Sequence, residues 1–120
     1  MSISIEKKGQ ASVVVVNDRI DGLSVPVMQD QLEQLIDSGE KNLLFDLSQV
    51  NYVSSVGFRL FLILQKKLKP QNGVLVLMNV QSAIKKLFDL SGFTSLFLFS
   101  ETLEEGISYI PGCTSISQEN

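Results

Sequence analysis

The stretch NYVSSVGFRLFLIL, which runs from Asn51 to Leu64, places two adjacent serines and a glycine in front of an almost wholly apolar segment. Residues 43 to 47, just before it, have the pattern of a buried strand, and residues 56 to 68 have the apolar spacing of a helix. Ser54 and Ser55 are therefore predicted to lie in the loop after a strand and at the N-terminus of a helix. Open α/β sheets form their ligand sites in this position.

Toward the N-terminus, the sequence predicts a hairpin and then a helix. SISIE alternates with period two and ASVVVV is a continuous β-branched run, which favours two strands joined around Lys8 to Gln10. In the helix that follows, Ser24 is a candidate N-cap and Gly39 a stop signal. Its apolar residues at helical spacing are Val27, Met28, Leu32, Leu35 and Ile36.

Toward the C-terminus, strand and helix patterns continue to alternate. GVLVLMNV predicts a strand, and SAIKKLFDLSG predicts a helix that is capped by Ser82 and closed by Gly92. LFLF and SETLEEGISYI predict a last short strand and helix. Because strands and helices alternate over short connections, we predict an α/β fold with a mixed, mostly parallel β-sheet, an N-terminal hairpin and about four α-helices.

The length and composition of the chain fit one domain. The chain has 120 residues, and the 44% that are hydrophobic can bury a core without disulfides or a structural metal. We expect a single domain over residues 1–112, followed by a flexible C-terminal tail over residues 113–120.

Charge and residue types argue against several functions. A net charge of −3 leaves no broad basic face, so nucleic acid is not an expected partner. Without histidine, and with Cys113 as the only cysteine, the chain cannot build an intrachain disulfide, a Cys/His zinc site or a Ser-His-Asp triad. We expect no metal, no cofactor and no role for Cys113. The segment MSISIEKKGQ lacks the charged and apolar regions typical of a signal peptide, and no run reaches about 18 apolar residues, so we expect a cytoplasmic protein outside the membrane.

The two serines have two interpretations. The free backbone N–H groups and the dipole of a helix N-terminus would stabilise a phosphate on a serine hydroxyl. Alternatively, one serine merely caps the helix. Gly57 is equally open, because a residue without a Cβ permits either the close approach of another chain or tight packing against the sheet.

The predicted helix after the serines is more apolar than one buried face requires. We expect part of this band to be exposed near Ser55 and, with Arg59 and the lysines at its rim, to form a docking surface. The alternative is a helix packed between the sheet and its neighbours. The apolar residues are Val56, Phe58, Leu60, Phe61, Leu62, Ile63, Leu64 and Leu68.

Three segments of the chain resemble the STAS domain, and within that superfamily the bacterial anti-sigma factor antagonists. DLSQVNYVSSVGFRLFL is similar to the family signature, RIDGLSVP to the start of its first helix, and AIKKLFDLSGF to its third helix. The segments occur in the family's order and spacing, and the resemblance extends from about residue 3 to residue 110.

Carried over residue by residue, the resemblance implies that Ser55 is the phosphorylatable serine, because it lies two positions before the motif glycine. It also implies that Asp21 is the acidic residue near that serine. Ser54 stands where aspartate is common, so the loop is less acidic and would hold a phosphate more easily. The implied partner-binding residues are Asp21, Gly22, Ser24, Ser54, Ser55, Val56, Gly57, Phe58 and Arg59.

The mechanism implied by the resemblance is partner switching by a monomer or weak dimer that is not an enzyme. The unphosphorylated antagonist binds an anti-sigma factor that is also a serine kinase of the GHKL type and so frees the sigma factor. Phosphorylation of Ser55 abolishes binding, and a PPM-type phosphatase restores it. Two alternatives remain open: a constitutive STAS interaction or scaffold module, and a small enzyme or phosphocarrier with a serine nucleophile, for which no activating base is evident.

Overall fold

The five strands of the sheet follow one another in chain order, from β1 at one edge to β5 at the other, in a computed structural model that describes residues 2–112. The first two strands are antiparallel, and every later pair is parallel. The strands are β1 Ser2–Lys8, β2 Ala11–Ile20, β3 Asn42–Val53, β4 Val74–Met78 and β5 Leu98–Ser100. The helices are α1 Val25–Asp37, α2 Ser55–Leu68, α3 Ser82–Leu90 and α4 Leu103–Ser108.

The predicted α/β class, the mostly parallel sheet and the N-terminal hairpin are confirmed. Lys8 pairs with Ala11 across a two-residue turn, in which Gly9 has a φ of +62°, a conformation that glycine adopts without steric cost. The predicted tail over residues 113–120 lies outside the residues that the structure describes.

Alternate side chains of the strands divide the core between the two faces of the sheet. On one face, Val14, Leu43 and Phe45 pack against the apolar sides of α1, α2 and α3. On the other face, Val13 and Leu44 contribute to a smaller cluster, against which α4 packs. The larger core therefore holds α2 directly on the sheet.

Several predicted boundaries are wrong in ways that matter for the site. Strand β3 runs on past Leu47 to Val53, because its polar second half still pairs with β2 through two irregularities in register. Helix α2 begins at Ser55, one residue before the predicted start at Val56. Strand β3 therefore leads directly into Ser54 and the first turn of α2.

Three further local predictions need correction. Val27 was assigned to the buried side of α1 but is 54% exposed. The N-cap of α3 is Gln81, and Ser82 is the first helical residue. The last strand lies at Leu98–Ser100, and Leu96 belongs to a short 3₁₀ turn. The helical spacing was correct for α1, but spacing alone does not show how wide the covered face is.

Candidate functional site

The junction between β3 and α2 presents the two serines at the carboxyl edge of the parallel sheet. The backbone N–H of Ser54 donates to the carbonyl oxygen of Ile20 at 2.9 Å, which ties the junction to the end of β2. The first hydrogen bond of the helix runs from the N–H of Phe58 to the carbonyl oxygen of Ser54 at 3.0 Å. The N–H groups before Phe58 precede that bond and are oriented to receive an anion.

The two serine side chains have different environments. Ser55 is exposed and is the first residue of α2. Ser54 occupies the N-cap position, but its side chain makes no capping hydrogen bond. The Ser54 Oγ is buried and has no hydrogen-bond partner within residues 2–112. The interpretation of Ser54 as a side-chain cap is therefore wrong, and the accessible hydroxyl of the pair belongs to Ser55.

Gly57 packs directly against the ends of two strands. A Cβ built on it would lie 2.8 Å from Ile20 Cγ2, 2.8 Å from Val53 Cγ1 and 2.9 Å from the Ile20 carbonyl oxygen. Contacts this short do not occur, so only glycine fits without displacing its neighbours. Of the two interpretations of this glycine, the structure supports tight packing against the sheet.

The loop from β2 to α1 is held by its own side chains. Asp21 Oδ1 accepts hydrogen bonds from the backbone N–H groups of Leu23 and Ser24, and Asp21 Oδ2 accepts one from Arg19 Nε at 3.1 Å. The neighbouring Arg19, together with these backbone hydrogen bonds, holds the pKa of the Asp21 carboxyl below its usual value of 3.8. The carboxylate of Asp21 is thus used to shape its own loop.

Ser24 is part of the same network and does not cap α1. Its hydroxyl is buried, donates to the carbonyl oxygen of Arg19 at 2.9 Å and accepts from the N–H of Asp21 at 3.0 Å. Its own backbone is in the right-handed helical region, and no capping hydrogen bond from its side chain is formed. The predicted position of Ser24 at the start of α1 is confirmed, but its side chain does not form the predicted capping hydrogen bond.

Two contacts join this loop to the serine junction. One is the Ile20 to Ser54 hydrogen bond, and the other is the Arg19 guanidinium over the Tyr52 ring, 4.3 Å from the ring centroid. Asp21, in the loop after β2, and Ser55, at the start of α2, therefore lie at the same edge of the sheet, and the hydrogen bond from Ser54 to Ile20 links the two segments. A cavity of about 240 Å³ opens beside this loop.

The exposed apolar residues around the junction differ from those expected. Phe58 is only 7% exposed, because its ring packs edge-on against Phe88 with the centroids 4.6 Å apart. Val56 is 43% exposed, and Leu23 in the neighbouring loop is 91% exposed. Sequence reasoning overlooked Leu23, although a leucine between Gly22 and Ser24 in a tight loop has little chance of being buried.

Neither a cluster of metal ligands nor a membrane-spanning helix is found in the described part of the chain. No group of three or more histidine, cysteine, aspartate or glutamate side chains within residues 2–112 is arranged to hold a metal ion. Within the same residues, no helix has both the length and the apolar character needed to cross a bilayer.

The family model and the sequence relatives that this chain matches point to the same family. Residues 2–106 match the STAS domain. The chain is 31% identical to the anti-sigma-B factor antagonist of Bacillus subtilis over 109 residues, which cover 89% of this chain and 99% of that protein. It is 32% identical to the protein BtrV of Bordetella bronchiseptica over 99 residues, which cover 72% of this chain and 85% of that one.

Solved structures agree in fold. An anti-sigma factor antagonist from Mycobacterium paratuberculosis superposes with a TM-score of 0.81 at 23% identity, covering 91% of this chain and 92% of that one. The antagonist SpoIIAA in its unphosphorylated form superposes with a TM-score of 0.80 at 20% identity, covering 92% and 97%. Together with the family match and the sequence relatives, these likenesses show that the chain is a STAS domain protein and belongs to the anti-sigma factor antagonist family.

Proposed function

We propose that this protein acts by partner switching, with Ser55 as the residue whose phosphorylation controls binding. The observation that carries the proposal is the exposed Ser55 hydroxyl at the first position of α2, in a turn that Ile20 and Gly57 fix against the sheet. A regulatory hydroxyl must be accessible to a kinase and lie within a surface of defined shape. Ser55 meets both conditions, and the buried Ser54 hydroxyl does not.

The unphosphorylated protein binds an anti-sigma factor that is also a serine kinase of the GHKL type, and so frees its client. The contact surface consists of the Ser55 turn and the adjacent loop. Val56, Arg59, Gly22 and Leu23 are exposed there, whereas the implied binding residues Ser24, Gly57 and Phe58 are buried and support the surface from beneath. A few well-packed residues near the centre of such a surface provide most of its binding energy.

Phosphorylation transfers the γ-phosphoryl group of ATP to Ser55 Oγ. The new P–O bond forms at Oγ, the bond to the β-phosphate oxygen breaks, ADP leaves, and the hydroxyl proton passes to a base of the kinase. A PPM-type phosphatase reverses the state by hydrolysis, which releases inorganic phosphate. The catalytic groups belong to these partners, and this chain supplies the acceptor hydroxyl.

The phosphate switches binding by charge and needs no refolding. It carries about −1.5 to −2 charges, and the N-terminal N–H groups and dipole of α2 stabilise it where it stands. Inside a packed interface the same charge must lose its water, so the complex is disfavoured. A hundredfold loss of affinity requires a differential binding free energy of only about 2.7 kcal/mol.

The test is retention of the partner kinase, followed by phosphorylation in vitro. Wild type, Ser55→Asp and Ser54→Ala are used as bait in a cytoplasmic extract of the native cell, and the retained kinase is identified by mass spectrometry. We expect wild type and Ser54→Ala to retain it, and Ser55→Asp to lose it. The purified kinase should then phosphorylate wild type and Ser54→Ala, but not Ser55→Ala.

Two results would contradict the proposal. Phosphorylation of Ser55→Ala at the wild-type rate would remove Ser55 from its assigned role. Equal retention of the same partners by wild type and Ser55→Asp would instead indicate the constitutive STAS interaction module.

A further inference from the structure

A groove of about 790 Å³ lies along α2, between the helix and the starts of β4 and β5. It begins one helical turn beyond Ser55 and continues into the 3₁₀ turn that follows α2. The side chains that define it are Arg59, Leu62, Ile63, Lys66, Lys69 and Leu98.

The floor of the groove is apolar and held in place. Leu62 and Ile63 are half-buried on α2, and Leu98 on β5 is 39% exposed. At the base, a Cβ on Gly73 would lie 2.4 Å from the carbonyl oxygen of Lys41, so the backbone packs as closely there as glycine allows. Gln65 Nε2 donates to the carbonyl oxygen of Leu96 at 2.7 Å, which ties α2 to the segment before β5.

The rim of the groove carries unneutralised positive charge. Five of the ten basic residues form ion pairs: Lys7, Lys8, Arg19, Lys67 and Lys85. The other five have no ion pair among residues 2–112, and three of those five, Arg59, Lys66 and Lys69, line this groove. None of the described residues that line it is acidic. In a chain with a net charge of −3, three of the five cations without an ion pair among the described residues therefore lie around one apolar groove.

We propose that this groove docks an acidic amphipathic helix of a partner protein. The apolar face of such a helix packs on Leu62, Ile63 and Leu98, and carboxylates at its edges pair with the three cations at the rim. The cations from Arg59 to Lys69 span about 15 Å along α2, which corresponds to about three turns of a docked helix.

The shape and charge of the groove favour this occupant over two others. Nucleic acid needs a broad basic surface with many phosphate contacts, and this chain offers three cations around an apolar floor. A membrane surface is flat, whereas the apolar residues here lie at the bottom of a concave site. An acidic helix satisfies both the apolar floor and the charged rim.

The inference goes beyond the proposed function and does not depend on phosphorylation. Lys66 lies about 16 Å along α2 from Ser55, which is longer than the screening distance of about 8 Å at physiological salt. Arg59 belongs to both surfaces and lies only about 6 Å along α2 from Ser55, so charge at Ser55 should affect that end of the groove and have little effect at Lys66 and Lys69. The two sites can be tested separately on the same protein.

The test is a titration of the full chain into a fluorescently labelled synthetic peptide, followed by anisotropy. The peptide has about 15 residues, enough to form a marginal helix, with a leucine stripe flanked by glutamates, and a second peptide carries glutamine at each glutamate position. The groove variant is Lys66→Gln/Lys69→Gln. Its matched control is Lys8→Gln/Lys86→Gln, which removes the same charge from two exposed lysines that do not line the groove.

We expect saturable binding of the glutamate peptide to wild type, with Kd raised about tenfold in the groove variant and less than about twofold in the control. Ile63→Asp should weaken binding at least as much, and the glutamine peptide should bind less tightly than the glutamate peptide. Ser55→Asp, which acts only on the Arg59 end of the groove, should weaken binding less than the groove variant does. A protein that fails the Ser55 phosphorylation test but binds this peptide would contradict the proposed function alone.

Three results would overturn the inference: no binding of the glutamate peptide up to about 1 mM, equal loss in the control variant, or equal affinity for the two peptides. Binding to phosphatidylglycerol vesicles or duplex DNA that needs Lys66 and Lys69, without peptide binding, would assign the groove to that ligand. A concentration-dependent dimer that the groove variant abolishes would assign it to a second copy of the chain.

Discussion

Ile20 supports Gly57 so closely that its carbonyl oxygen and Cγ2 leave no space for a Cβ on the glycine. The same carbonyl oxygen accepts the hydrogen bond from the Ser54 N–H. The end of β2 thus fixes both the N-cap of α2 and its first turn. The position of the Ser55 hydroxyl is set by a residue that is 35 positions earlier in the chain.

The first prediction concerns Gly57. In Gly57→Ala, the added methyl group overlaps two side chains and a backbone oxygen, so the first turn of α2 must move. We expect the free energy of unfolding to fall by about 1–3 kcal/mol, as in other overpacked sites, when measured by urea denaturation.

Gly22→Ala is the matched control for Gly57→Ala. A Cβ on Gly22 meets no atom within 4 Å, so this variant should unfold within about 0.5 kcal/mol of wild type. Equal destabilisation by the two substitutions would show that the contact with Ile20 does not limit position 57.

The second prediction compares two helix N-caps. Thr102 Oγ1 accepts a hydrogen bond from the Glu105 N–H at 3.0 Å, so Thr102→Ala should cost about 1 kcal/mol of stability. Ser54 is the N-cap residue of α2 without a side-chain hydrogen bond, and its hydroxyl is buried with no partner among residues 2–112. Ser54→Ala should therefore be neutral within about 0.5 kcal/mol or slightly stabilising.

Urea denaturation of the two alanine variants beside wild type tests this difference between the caps. A cost for Ser54→Ala as large as that for Thr102→Ala would mean that the Ser54 hydroxyl supports the helix after all. Retention of the kinase by Ser54→Ala would show separately that the surface is intact.

The third prediction is a pH dependence that comes from Asp21. Because Arg19 and the loop N–H groups hold the pKa of the folded carboxyl below 3.8, the ionised form stabilises the folded state. This contribution is present above the unfolded pKa, near pH 4, and disappears as the pH falls through the lower folded pKa. The stability difference between wild type and Asp21→Asn should therefore shrink below about pH 4.

Denaturation of wild type and Asp21→Asn from neutral pH to about pH 2.5 measures this effect. Arg19→Gln should remove the largest part of the pH dependence, because Arg19 is the main cause of the lowered pKa. A difference between wild type and Asp21→Asn that stays constant over the whole range would contradict the assignment.

The fourth prediction concerns Leu23, which is 91% exposed in a loop that Asp21 holds in shape. Leu23→Ser removes an apolar side chain from the proposed kinase interface and, because that side chain is 91% exposed, removes little packing within the fold. We expect about tenfold weaker kinase binding, because burial of a leucine side chain contributes about 1.5–3 kcal/mol, and an unchanged unfolding free energy.

Ile5→Thr provides the control for Leu23→Ser. Ile5 is an exposed apolar residue on the edge strand β1, at the far side of β2 from the Ser55 turn. It should leave kinase binding unchanged. Equal loss of binding in the two variants would remove the β2 to α1 loop from the proposed interface.

Local sequence signals were sufficient for the main elements and for the proposal that a serine at the junction is the site. The β-branched run in β2, the apolar spacing of α1 and α2, and the adjacent serines before Gly57 depend on residues near one another in the chain, so they can be read without a fold. The resemblance of three segments to a known family added the role of Ser55. These inferences gave the class of the fold, the sheet and the family.

Features that depend on contacts between residues far apart in the sequence could not be predicted from local patterns. The burial of Phe58 and the exposure of Val27 and Leu23 follow from which neighbours cover each face, and spacing does not specify those neighbours. The need for glycine at position 57 follows from the close approach of Ile20 at the end of β2. The groove along α2 likewise exists only because β4 and β5 lie beside it.

The sequence by itself therefore determined the elements, their order and the residue that carries the proposed switch, because periodicity and motif are local properties of the chain. Only the tertiary structure decided which serine is accessible, what Gly57 packs against and where the free cations gather. Each of these properties depends on residues that are far apart in the sequence. Ile20 and Gly57, for example, come within contact distance only when the sheet and α2 have packed.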